Sequence, residues 1–122
     1  MKSTLLLPTW NEIEAVRSIY PTIDHSWVDE ILVIDGGSTD GTKEYFEERG
    51  VRVCLQERPG FGAAMYEGML HSTGDIVVEF PPDGNSLPEK IPEVITKVKE
   101  GYDLVIASRY KDDAVSLDDD RL

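Results

Sequence analysis

Two periods alternate along this chain, and that alternation limits its fold more than any other feature. Short unbroken runs of Leu, Val and Ile recur between longer stretches whose apolar residues return every three or four positions. A strand that is apolar throughout must be covered on both faces, and parallel strands need a crossover of a dozen or more residues, usually a helix. The pattern therefore predicts an α/β fold, a Rossmann-like, mostly parallel sheet with helices on both faces. Strands are expected at 4–7, 30–35, 51–56, 75–80 and 103–107, and helices at 12–20, 42–49, 63–72 and 88–100. Gly50 and Gly101 follow helical stretches and Gly74 precedes a strand, positions where a left-handed residue is often needed. Ser86 and Glu89 have the spacing of a capping box ahead of the last helix. Pro92 removes a donor inside that helix, so a short turn followed by a helix restarting at Pro92 fits the same residues.

A length of 122 residues suits one domain. Its 24 acidic and 12 basic residues give a net charge of −12, which repels nucleic acid and anionic lipid alike. The same field opposes a phosphorylated ligand unless a cation or backbone N–H groups act locally. The lone Cys54 has no partner for an intrachain disulfide, which fits a reducing, cytoplasmic setting. The apolar start is broken by Pro8, Asn11 and Glu12, far short of a signal-peptide core. The acidic stretch from Asp112 to Asp120 reads as a mobile tail.

Ligands of open α/β sheets bind beyond the carboxyl ends of the strands, so the residues that follow each strand carry the functional reading. After the first comes PTWNE (8–12), with a flat indole, an amide and a carboxylate suited to a nucleoside; Asn11 serves equally as a helix cap and Trp10 as packing. After the second comes DGGSTDGT (35–42), where Asp35 ends an apolar strand and must be paired or face a ligand. Ser38, Thr39 and Asp40 read as turn and cap residues. After the third comes ERPGFGAA (57–64), whose Arg58, Gly60 and Gly62 can bring a cation and backbone N–H groups to a diphosphate, or serve close helix packing. After the fourth comes PPDGNSLPE (81–89), where Asp83 and Asn85 offer oxygens to a hard divalent cation or form an ordinary turn.

In order and spacing these segments resemble glycosyltransferase family 2, the GT-A group that includes dolichol-phosphate mannosyltransferases and polyprenyl-phosphate glucosyltransferases. PTWNE is similar to the family's P-T-x-N-E, and VIDGGSTDGT to its V-x-D-D-x-S-x-D-G-T. GDIVVEFPPDGNSLPE is similar to G-D-x-V-x-x-M-D-A-D-x-Q-x-P-P-E, and ASRY to G-S-R-Y/F. The resemblance implies that 1–110 form a nucleotide-sugar-binding subdomain and that 111–122 begin the acceptor-binding part. It implies a nucleotide pocket lined by Pro8, Trp10, Asn11, Glu12, Asp35, Gly36, Arg58, Gly62 and Asp83, with Asp83 and Asn85 at a Mg²⁺ or Mn²⁺ ion that binds only with nucleotide. Arg109 would face an acceptor phosphate. Two positions depart from the pattern: Gly36 replaces the second aspartate of the D-D pair, and Pro81 replaces the first of D-A-D.

The implied reaction is an inverting transfer from a UDP- or GDP-sugar, with a polyprenyl phosphate as the family's acceptor. The general base is expected beyond Leu122, so the chain alone is expected to bind the donor without transferring it, and to self-associate through apolar surface near the fifth strand. A non-catalytic nucleotide-sugar-binding module is the rival reading. A sugar nucleotidyltransferase would carry G-x-G-T-R after its first strand, which PTWNE is not.

Overall fold

The computed structural model describes residues 2–84 and 87–100, together with the backbone of two further short strands, 105–107 and 115–117. In chain order the main elements are β1 (Ser3–Thr9), α1 (Ile13–Ile19), β2 (Glu30–Asp35), α2 (Thr42–Glu48), β3 (Arg52–Leu55), α3 (Phe61–His71), β4 (Ile76–Glu79) and α4 (Ile91–Lys99). The four strands form one parallel sheet in the order β3-β2-β1-β4. From β1 the chain builds outward through β2 to β3, then returns to place β4 on the other side of β1. That reversal opens a crevice at the carboxyl ends of the central strands.

Side chains alternate across the sheet, so each apolar run serves two cores. Leu5, Leu7 and Val33 point to one face and pack with Val16 of α1, Phe46 of α2 and Ile91, Val94 and Ile95 of α4. Leu6, Leu32 and Ile34 point to the other, where Ala64 of α3 meets them. Gly68 lets α3 approach closely, since a Cβ there would lie 2.5 Å from both Leu6 methyl carbons.

The fifth apolar run does not extend this sheet. Residues Val105–Ala107 form β5, which pairs antiparallel with β6 (Val115–Leu117) in a separate two-stranded sheet, so a strand occupies part of the stretch read as an acidic tail. A four-residue apolar run marks a strand but not its partner. The last helix resolves as the broken alternative: a 3₁₀ turn, Pro88–Lys90, precedes α4, with Pro92 in the first turn where its missing N–H costs nothing. Among the described residues no helix is long and apolar enough to cross a membrane.

Candidate functional site

The loops after β1 and β2 are tied into one unit by side chains. Asp35, fully buried at the end of β2, accepts hydrogen bonds from Thr9 Oγ1 (2.9 Å) and Ser38 Oγ (2.6 Å) at Oδ1, and from the Gly37 and Ser38 amides (3.0 and 2.8 Å) at Oδ2. Four donors satisfy a carboxylate that would otherwise be costly to bury. Asn11, with a left-handed φ of 51°, accepts from the Thr39 amide at 2.8 Å while its own amide donates to Ser38 Oγ at 2.9 Å. The first amides of α1 are capped from the neighbouring loop, Glu12 donating to Thr42 Oγ1 and Ile13 to Asp40 Oδ2. Asp40 also accepts from the Thr42 amide at the start of α2, so one carboxylate braces two helix beginnings.

The loop after β3 is held in a different way. Glu67, on the inner side of α3, accepts from the Glu57 and Arg58 amides at 2.7 and 3.0 Å. Gln56 Nε2 donates to the carbonyls of Arg58 and Gly60, and Gly60 takes a φ of 102° that favours glycine. This geometry delivers Pro59, Gly60 and Phe61 to the rim of the crevice.

Together the four loops enclose an open cleft of about 640 Å³ at the chain reversal. Pro8, Thr9, Trp10 and Glu12 line it from the first loop, Gly36 from the second, Gln56 and residues 59–61 from the third, and Pro81 and Asp83 from the fourth. Trp10 presents a largely exposed indole. Beside it Gly36 has no side chain, and a Cβ there would touch Trp10 Cδ1 and Gln56 Oε1, each at 3.4 Å. The departure from the second family aspartate thus leaves bare backbone between Trp10 and Gln56, where a side chain would meet both.

Negative charge gathers at this end of the sheet. Burial, and then the charges of Asp83 and Asp40, hold the Glu12 carboxyl above its ordinary range. Glu79, near the end of β4, is pushed up to about 7, first by burial and then by Asp83, and its Oε2 has no hydrogen-bond partner. A carboxylate that raises two neighbours marks a position where a cation lowers the energy. Among the described residues no three His, Cys, Asp or Glu side chains form a metal cage. A hard ion at this end would find the Asp83 carboxylate in the cleft wall and would need ligand oxygens and water for the rest of its shell.

Of the nine residues expected to line a nucleotide pocket, the structure brings Pro8, Trp10, Glu12, Gly36 and Asp83 to the cleft. The other four are not among the residues that line it. Asp35 lies behind the lining and braces the loop, because its burial required four internal donors. Asn11 neither lines the cleft nor caps its own helix; its side chain ties the two loops. Arg58 and Gly62 flank the residues that form the wall, and a Cβ on Gly62 would meet nothing within 4 Å, so close packing does not require that glycine. Asn85 and Arg109 fall outside the described residues, as do the side chains near the fifth strand. Exposed apolar surface that the structure does describe lies on α3, where Phe61, Tyr66, Met69 and Leu70 face outward. Thr9, Gln56, Pro59, Phe61 and Ala64 line the cleft without having been expected there; the β3–α3 glycines were the signal that pointed to the segment of the last four, while Thr9 ends β1.

Comparison with known proteins bears on the family and the fold. The family model described as Glycosyl transferase family 2 matches residues 4–121. Glycosyltransferase AglJ of Haloferax volcanii is 35% identical over 109 residues, 88% of this chain and 36% of the relative. The dolichol-phosphate mannosyltransferase of Pyrococcus furiosus is 31% identical over 118 residues, 90% of this chain and 34% of the relative. Among solved structures, glucosyl-3-phosphoglycerate synthase from Mycobacterium tuberculosis in complex with UDP superposes with a TM-score of 0.67 at 34% identity, over 82% of this chain and 40% of that one. The same synthase has been solved with Mn²⁺, UDP and phosphoglyceric acid. The chain spans less than half the length of these relatives.

Proposed function

Because the chain belongs to glycosyl transferase family 2, we propose that its cleft binds the nucleoside diphosphate of a sugar donor together with a divalent cation, as the donor side of an inverting glycosyl transfer. The observation that carries this reading is the meeting of Trp10, Glu12, Gly36 and Asp83 in one cleft at the chain reversal. Trp10 and Pro8 supply flat apolar surface for a base, and the bare backbone at Gly36 lets its ribose approach without a side chain in the way. The amino end of α3, reached through Gly60, points backbone N–H groups toward the diphosphate. Asp83, with Asn85 two residues on, would hold Mg²⁺ or Mn²⁺, which when bound neutralises charge developing on the departing diphosphate. The UDP found in the related synthase makes a uridine donor the first to test. A polyprenyl-phosphate acceptor, suggested by the mannosyltransferase relative, is the class we assign to the other side of the reaction, with Arg109 toward its phosphate.

Calorimetric titration with UDP, GDP and their sugar conjugates, in Mn²⁺ and in EDTA, tests this. Metal and nucleotide should strengthen each other by about 1–3 kcal/mol, the same amount whichever is added first. Asp83→Ala should remove that coupling while the protein stays folded. UDP affinity that is equal in Mn²⁺ and EDTA, and unchanged by the substitution, would overturn the assignment.

A further inference from the structure

Gln56 follows β3 and is held through its backbone and its side chain together. Its amide donates to the Asp35 carbonyl at 2.7 Å, which sets it beside Gly36, the residue that follows β2. Its Nε2 donates to the carbonyls of Arg58 and Gly60, the second at 2.8 Å. Carbonyls only accept, so the NH₂ half of the side-chain amide must face them and the oxygen must face away. Gly36 shows where that oxygen lies: a Cβ on this glycine would touch Gln56 Oε1 and Trp10 Cδ1, each at 3.4 Å.

The oxygen is both unused and open. No donor of a described residue reaches it. Among the described residues, the unpartnered side-chain oxygens closed off from solvent are those of Tyr20 and Glu79. Gln56 is half-buried and lines the cleft proposed for the donor. An amide oxygen also suits the charge of this cleft. Glu12 and Asp83 already bring carboxylates to its wall in a chain of net charge −12, and a further carboxylate would repel an anionic ligand. Where the family pattern has two aspartates this chain has Gly36 and Pro81, both on the cleft wall and neither with a side-chain acceptor. Gln56 supplies an acceptor there without adding charge.

We infer that Gln56 is a specificity residue for the nucleoside: its Oε1 accepts a hydrogen bond from a ribose hydroxyl of the bound nucleotide, so that the cleft distinguishes ribose from deoxyribose. The inference rests on the reading of this cleft as a nucleoside diphosphate site with the ribose against Gly36. A sugar resting on that bare backbone brings its hydroxyls to the side on which Oε1 lies, and a hydroxyl can donate to it. Two carbonyls already hold the amide in place, so little side-chain freedom is lost when the ligand arrives. A nucleotide lacking the hydroxyl leaves the oxygen covered and without a donor, and that loss is the source of the discrimination.

Calorimetry of the full chain in Mn²⁺, with UDP, 2′-deoxy-UDP and 3′-deoxy-UDP as ligands, tests the inference. One of the two deoxy nucleotides should bind about 5-fold to 10-fold more weakly than UDP, and which one it is identifies the hydroxyl. Gln56→Met keeps the length of the side chain and removes both polar atoms. It should weaken UDP by a similar factor and bring UDP and that deoxy nucleotide within about 2-fold of each other. If Gln56 serves only to hold its loop, the substitution weakens all three ligands alike and their ratio persists, which overturns the inference. Equal binding of all three nucleotides by the unsubstituted protein, a comparison that needs no variant to fold, overturns it as well while leaving the cleft a nucleotide site. UDP that does not bind at all overturns the reading of the cleft itself, and this inference with it.

Discussion

Asp35 and Glu79 are both acidic residues in the parallel sheet, and their surroundings give them opposite characters. Asp35 has four donors around its two oxygens, so it is a fixed acceptor that shapes the loop of the cleft. Replacing it with Ala leaves two backbone amides and two hydroxyls without their acceptor. Asp35→Ala should cost about 2–4 kcal/mol in urea denaturation; a loss below about 0.5 kcal/mol, the scale of an ordinary surface change, would contradict the bracing role. Glu79 has too few donors. A free glutamate titrates near 4.5, and burial with the Asp83 charge moves Glu79 to about 7. The folded state therefore binds more protons than the unfolded state between those values. The stability contributed by protonated Glu79 is complete below about 4.5 and is lost as pH rises through about 7. Glu79→Gln should flatten this part of the stability profile and gain about 1–3 kcal/mol at pH 8 relative to pH 4.5. Denaturation curves at the two pH values that shift equally in both proteins would refute it.

Helix α3 shows which element-scale features a sequence reveals and which it hides. The helix itself was legible from the glycines before it and the spacing of its apolar residues. Its orientation was not, because Glu67, its one acidic residue, turns inward to hold the Glu57 and Arg58 amides while Tyr66, Met69 and Leu70 face out. A reading from amphipathic pattern places the acid outside. The glycines divide in a similar way. Gly62 reads as a packing or phosphate glycine but meets nothing, whereas Gly68 is pressed against Leu6. Gly68→Ala should destabilise by about 1–3 kcal/mol through overpacking, and Gly62→Ala should be neutral or stabilise by up to about 1 kcal/mol through helix propensity. Thermal unfolding of the two variants checks this, and equal melting temperatures would contradict it. The caps of α1 were hidden for a related reason: Thr42 and Asp40 lie about thirty residues away, and capping signals are read locally.

At the scale of the molecule, the sheet was legible because a parallel strand covered on both faces leaves an unbroken apolar run. The end of the sheet that carries the cleft followed from the rule that open α/β sheets bind ligands beyond the carboxyl ends of their strands. What sequence did not reveal is which side chains at the carboxyl ends look into the cleft and which turn back to support it; that depends on donor satisfaction across loops, as Asp35 and Asn11 show. The partner of the β5 run was hidden as well, since pairing is decided between strands and not within one. With a charge of −12, the whole chain also works against an anionic donor, which makes a cation at Asp83 part of the central claim. A crystal structure of the full chain with UDP and Mn²⁺ tests that claim most directly. The account predicts the uracil ring beside Trp10 with its ribose against the bare backbone of Gly36, and the metal between Asp83 and the diphosphate. UDP bound elsewhere, or bound in the cleft with its diphosphate remote from Asp83, would contradict it.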